Sequence, residues 1–118
     1  MKIKYKILTF SFIVILLVLT IITGYQSIVE KHEITHAVIN KNFGIRTEIK
    51  TDFFSGTATY TYPDNFPEED RRIIKSLHSI NELVTYQFLI FYLLLAPQIS
   101  GILMILLVLV MRNPKVRK

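Results

Sequence analysis

The chain has 118 residues, 51% of them hydrophobic and only 19% charged, and it carries no cysteine. A soluble domain this short could not hide that much apolar surface in one core. The lack of cysteine excludes disulfides, thiolate nucleophiles and Cys-ligated metal sites, and there is no Gly-rich phosphate loop or dinucleotide fingerprint.

The formal net charge of +5 is unevenly placed. All nine acidic residues lie between Glu30 and Glu82, a stretch with seven basic residues and hence a net charge of −2. Lys2, Lys4 and Lys6 at one end, with Arg112, Lys115, Arg117 and Lys118 at the other, contribute +7. Basic residues just outside apolar runs read as membrane-topology signals, not as a nucleic-acid-binding face. No nucleic-acid partner is expected.

In chain order, residues 1–6 form a basic N-terminus. Ile7–Val29 is free of charge, and the stretch 7–24 predicts a first transmembrane helix. Its length, and the absence of an Ala-x-Ala-like cleavage site after it, favour an uncleaved anchor over a signal peptide. The helix is expected to continue through Glu30–Asn42 and stop near Gly44. Ile45, Thr47, Ile49 and Thr51 then alternate with charged residues, Phe53-Phe54-Ser55-Gly56 forms a turn, and Thr57–Tyr62 alternates again. This predicts a β-hairpin over 45–62. Phe53, Phe54, Tyr60 and Tyr62 read as hairpin packing or interfacial anchors.

Pro63-Asp64-Asn65 is a loop. Pro67 followed by Glu68, Glu69 and Asp70 marks a helix start, with Pro at the first helical position and acids at the positive end of the helix dipole. That helix, over 67–86, should run directly into the uncharged stretch Leu83–Met111, whose portion 87–111 predicts a second transmembrane helix. As a straight helix the 29 uncharged residues measure about 43 Å, more than the ~30 Å hydrocarbon core, which implies tilt or a kink at Pro97. Residues 112–118 are a basic C-terminus. The expected fold is therefore a mostly α membrane protein: two transmembrane helices extended beyond the bilayer, with a small β-hairpin between them. The positive-inside rule puts both termini in the cytoplasm and the region 25–86 outside the cell membrane.

Chemistry concentrates in His32-Glu33-Ile34-Thr35-His36, an HExxH pattern. On a helix, positions i and i+4 share a face about 6 Å apart, so both imidazoles can reach one metal ion. Glu33 points aside, placed to take a proton from a metal-bound water. A zinc site needs a third protein ligand. His78 and Glu82, again at i and i+4, both qualify and both stand just outside the second apolar stretch. Two antiparallel helices emerging from one leaflet would bring the two pairs to the same level. The face Ile28, His32, His36, Ile39, Phe43 would turn the imidazoles into the helix–helix seam.

HEITH, followed downstream by Asn81-Glu82, resembles the zincin metallopeptidases, and most closely their gluzincin branch. The resemblance covers about ten residues. Carried over, it implies His32 and His36 as zinc ligands, Glu33 as general base and Glu82 as third ligand, with one Zn²⁺ per chain. Leu83-Val84-Thr85-Tyr86 stands where many gluzincins have an Asp, so His78 remains the alternative to Glu82. The implied activity is hydrolysis of peptide bonds at the membrane surface by metal-activated water, on a peptide or membrane-tethered protein substrate. Tyr60, Tyr62, Tyr86 and Arg46 are candidate oxyanion donors, and the hairpin could offer a strand edge to an extended peptide. So small an extramembrane part leaves room for a homo-oligomer to complete the cleft. The competing expectation is a non-catalytic two-span protein serving as a structural or assembly partner in a larger membrane complex, with Gly24 and Gly101 marking close helix contacts.

Overall fold

The computed structural model describes residues 3–112. Lys2, Lys115, Arg117 and Lys118, on which part of the topology expectation rests, lie outside the described residues. Four elements follow one another: α1 (Ile3–Asn42), β1 (Thr47–Thr51), β2 (Gly56–Tyr60) and α2 (Glu68–Arg112). The chain is mostly helical, with a two-stranded antiparallel hairpin between two long apolar helices.

α1 contains no proline, and it stops where the sequence supplies a stop. Gly44 takes φ +73°, a left-handed conformation that a side chain would strain. Its N–H donates to the Lys41 carbonyl at 3.0 Å, and the Ile45 N–H donates to the Asn40 carbonyl at 2.9 Å. This is the paired hydrogen bonding of a Schellman cap. Ile45, just past the glycine, is buried to 3% exposure. The cap uses Ile45, so the paired strands are narrower than the expected 45–62: Thr47 sits opposite Tyr60 and Thr51 opposite Gly56. The turn closes with the Asp52 N–H donating to the Ser55 carbonyl at 2.7 Å.

Three acids occupy the first turn of α2, where the dipole favours them. Pro67 stands one position earlier than expected. Its carbonyl accepts the first helical hydrogen bond, from the Arg71 N–H at 3.0 Å, and α2 itself begins at Glu68. Pro97 lies inside α2.

The chain divides into two compact units. One joins the part of α1 up to Thr23 to the part of α2 from Phe91. Its large apolar side chains, such as Phe12, Ile15 and Leu103, are exposed. The hydroxyls of Thr9, Thr20 and Thr23 donate to the carbonyls four residues earlier, and Tyr92 donates to the Ile21 carbonyl at 2.6 Å. Polar hydrogens are thus spent on nearby backbone. Both helices are long and apolar enough to cross a membrane.

The other unit, Gly24–Ile90, holds the ends of both helices and the hairpin. Its buried side chains are Ile45 and Ile74 together with Glu33, His36, Asn40 and His78. A core with more polar than apolar members is costly unless its hydrogen bonds close, and those of His36, Asn40 and His78 do so within the site.

Candidate metal centre

The buried residues of α1 are Glu33, His36 and Asn40, spaced three and four apart along one face. On α2 the buried pair Ile74 and His78 begins a similar row, which continues through Asn81, Glu82 and Thr85. The two rows face each other. His36 Nε2 lies 3.1 Å from His32 Nε2 and 3.3 Å from Glu82 Oε1, and His32 Nε2 lies 3.4 Å from the same carboxylate oxygen. These three donors, all within 4.8 Å of one another, could hold a metal ion.

Each imidazole is held by its other nitrogen. His36 Nδ1 lies 2.6 Å from His78 Nδ1, His78 Nε2 lies 2.9 Å from Asn40 Oδ1, and Asn40 Nδ2 donates to Thr47 Oγ at 2.8 Å. The polarity of this chain is determined by the Asn40 amide. Its oxygen accepts from His78 Nε2–H, so His78 Nδ1 is an acceptor and takes the proton offered by His36 Nδ1–H. His36 Nε2 is left with its lone pair toward Glu82. For His32, Nδ1 has two neighbours, Thr85 Oγ at 2.8 Å and Asn81 Nδ2 at 3.1 Å, and as an acceptor it serves both, since the amide nitrogen only donates and the hydroxyl can donate. The Asn81 amide also donates to the His32 carbonyl at 3.2 Å. His32 Nε2 then carries the ring proton and donates it to His36 Nε2 at 3.1 Å.

His78, the alternative third donor, therefore stands behind His36 with both nitrogens engaged, and Glu82 is the residue placed beside the histidine pair. Burial, then the neighbouring His36, holds the His78 imidazole below its ordinary value. His32 adds to the lowering and Glu82 opposes it.

Glu33 is buried to 6% exposure, with Oε1 3.9 Å from His32 Nε2. The hairpin roofs it. A Cβ placed on Gly56 would come within 2.5 Å of Glu33 Cγ and 3.2 Å of Val29 Cγ1, so only glycine lets β2 approach this closely. Four successive β2 residues, Thr57 to Tyr60, line a cleft of about 440 Å³ together with His32, Glu33, His36, His78 and Glu82. A second cleft of about 320 Å³ reaches His32, Glu33 and Glu82 from the hairpin turn, past Phe54, Tyr86 and Leu89.

Among the proposed oxyanion donors, Tyr60 lines the first cleft and Tyr86 the second, whereas Arg46 lines a separate depression on the hairpin. Tyr62 meets Tyr60 edge to face and Phe66 at a tilt, with Arg71 over its ring at 4.8 Å. Burial and the adjacent Tyr62 raise the Tyr60 phenol above its ordinary value, which keeps it a donor. The supporting residues Asn40, Thr47, Thr85 and Gly56 were not singled out from the sequence. Asn40 had a readable signal, since it extends the His32–His36 row by another four residues.

The chain matches the family described as Domain of unknown function (DUF5034) over residues 5–118, and it belongs to that family. No curated protein and no solved structure matches it.

Proposed function

We propose that this protein is a membrane-bound zinc metallopeptidase, resembling gluzincins, that hydrolyses peptide bonds at the membrane surface. The observation that carries the reading is the spacing of His32 Nε2, His36 Nε2 and Glu82 Oε1, at 3.1, 3.3 and 3.4 Å. Zinc held tetrahedrally by bonds of about 2.0–2.1 Å separates its ligands by roughly 3.3–3.4 Å, so these donors have the right chemistry and the right span. His36 presents an unprotonated Nε2, and His32 does so once its ring proton moves to Nδ1 against Thr85 Oγ, the form a metal needs.

When bound, zinc supplies a Lewis acid that polarises a carbonyl and brings the pKa of a coordinated water near neutrality. The residues of the chain do the rest. Glu33, beside the donor cluster but outside it, accepts the proton of the attacking water and passes it to the leaving amine. Tyr60 or Tyr86 donates to the oxyanion. The free edge of β2 hydrogen-bonds an extended peptide and lays it along the cleft. In this reading both long helices span the cell membrane, the termini are cytoplasmic, and the site stands within a turn or two of the outer surface. Membrane-tethered chains are the natural substrates.

Zinc analysis of purified protein tests the reading. One zinc per chain is expected, with loss in His36→Ala, while Glu33→Gln keeps the metal and loses hydrolysis of a casein or peptide-library substrate. Substoichiometric zinc indifferent to His36→Ala would sink the peptidase and leave the non-catalytic membrane partner. Zinc retained with Glu33→Gln silent would mean a metal site without catalysis. Gly101, a close-contact position in that rival, faces open space within the chain.

A further inference from the structure

We infer that the hairpin turn, through Phe53 and Phe54, inserts into the lipid interface and pins β2 over the site. The inference rests on the membrane-spanning part of the proposed function. Central positions of tight turns ordinarily carry Gly, Asn, Asp, Pro or Ser. Here the two residues between Asp52 and Ser55 are phenylalanines, 55% and 61% exposed, packed edge to face at 4.8 Å. Two adjacent large apolar side chains on a turn gain nothing from water, and burial in an apolar phase favours both.

Their position gives the apolar phase its identity. The Phe54 ring lies 6.4 Å from that of Tyr25 and lines a cleft with Tyr86 and Leu89. Tyr25 belongs to the uncharged run Ile7–Val29, and Tyr86 and Leu89 to the uncharged run Leu83–Met111. The turn is thus level with the stretches of both helices that lead into the apolar spans, the depth at which aromatic side chains collect in membrane proteins. Tyr86, 60% exposed, belongs to the same band. A lipid surface is the partner this chemistry fits. The consequence for the site is mechanical. Gly56, two residues past Phe54, packs so close to Glu33 that it leaves no room for a Cβ. An anchored turn therefore keeps the roof of the cleft in place.

The protein has no tryptophan, so a single Trp is an unambiguous reporter. Phe53→Trp, Phe54→Trp and, as a span control, Ile15→Trp would each be reconstituted in phosphatidylcholine vesicles carrying lipids brominated near the headgroup or near the chain end. For the turn variants the expected result is blue-shifted emission, loss of iodide quenching, and stronger quenching by the shallow bromines. For Ile15→Trp the order of quenching should reverse. If both turn variants emit as solvated indole and are quenched by iodide while Ile15→Trp is quenched by lipid, the anchoring turn is overturned and the spans stand. If no variant is quenched by brominated lipid, the spans fall as well. Zinc content, measured on the same samples, reads the metal centre separately.

Discussion

His36 directs its Nδ1 proton to His78 and its Nε2 lone pair toward His32 Nε2 and Glu82, and Asn40 and Thr47 behind His78 fix that polarity. Partners of this kind typically govern metal affinity by 10–100-fold without touching the metal. His78→Ala should therefore weaken zinc binding by roughly 10–100-fold, read by competition with a chelating dye, while leaving all three donors in place. The same variant strands the buried Asn40 amide, at a cost of about 1–3 kcal/mol. His78 also gives the metal-free protein a pH dependence. The unfolded chain takes up this proton near the ordinary value of 6.5, whereas the folded site resists it. The stability contribution is complete above that pH and is lost as the pH falls from about 6.5 through the lowered folded value. Urea midpoints of chelator-treated protein in detergent should decline over that window, and His78→Gln should flatten the decline.

At the scale of elements, two glycines decide how the hairpin meets α1. Gly44 sits at φ +73° in the helix cap, and Gly44→Ala should lower stability by about 1 kcal/mol with no effect on zinc content. Gly56 acts on the site. Its missing Cβ is the space into which Glu33 packs, so Gly56→Ala must displace either the strand or the carboxylate. Hydrolysis should drop while zinc is retained, because Glu33 lies outside the donor cluster; parallel zinc and peptidase assays would show the split. The exposed pair Glu68 and Arg72 is a 3.8 Å contact on the surface of α2. Its removal by Arg72→Ala should change stability by less than about 1 kcal/mol.

At the scale of the whole molecule, the proposed orientation is open to direct labelling because the chain lacks cysteine. Ser55→Cys should react with a membrane-impermeant maleimide in intact cells, and Val116→Cys only after permeabilisation. The opposite pattern would reverse the topology and place the metal centre in the cytoplasm. The buried part of the unit Gly24–Ile90 is small, with only Ile45 and Ile74 as buried apolar side chains. Metal binding at the seam should accordingly raise its stability markedly, by a few kcal/mol at a hundredfold excess over the dissociation constant. Thermal unfolding with and without EDTA measures that gain.

Local pattern was enough for the two long helices, the stop at Gly44, the hairpin and the His32–His36 pair, because each is written within a few neighbouring positions: uncharged runs, a glycine past a helix, alternation, and i, i+4 spacing. Choosing between His78 and Glu82 was beyond local pattern. The two residues lie one helical turn apart on the same helix, and which of them reaches the imidazoles depends on how far α2 is slid and rotated against α1. That register is decided by contacts about 40–50 residues apart in sequence, His36 with His78, His32 with Thr85 and Asn81. The docking of β2 over Glu33 belongs to the same class, since Gly56 reads as an ordinary turn glycine until a helix is packed beneath it.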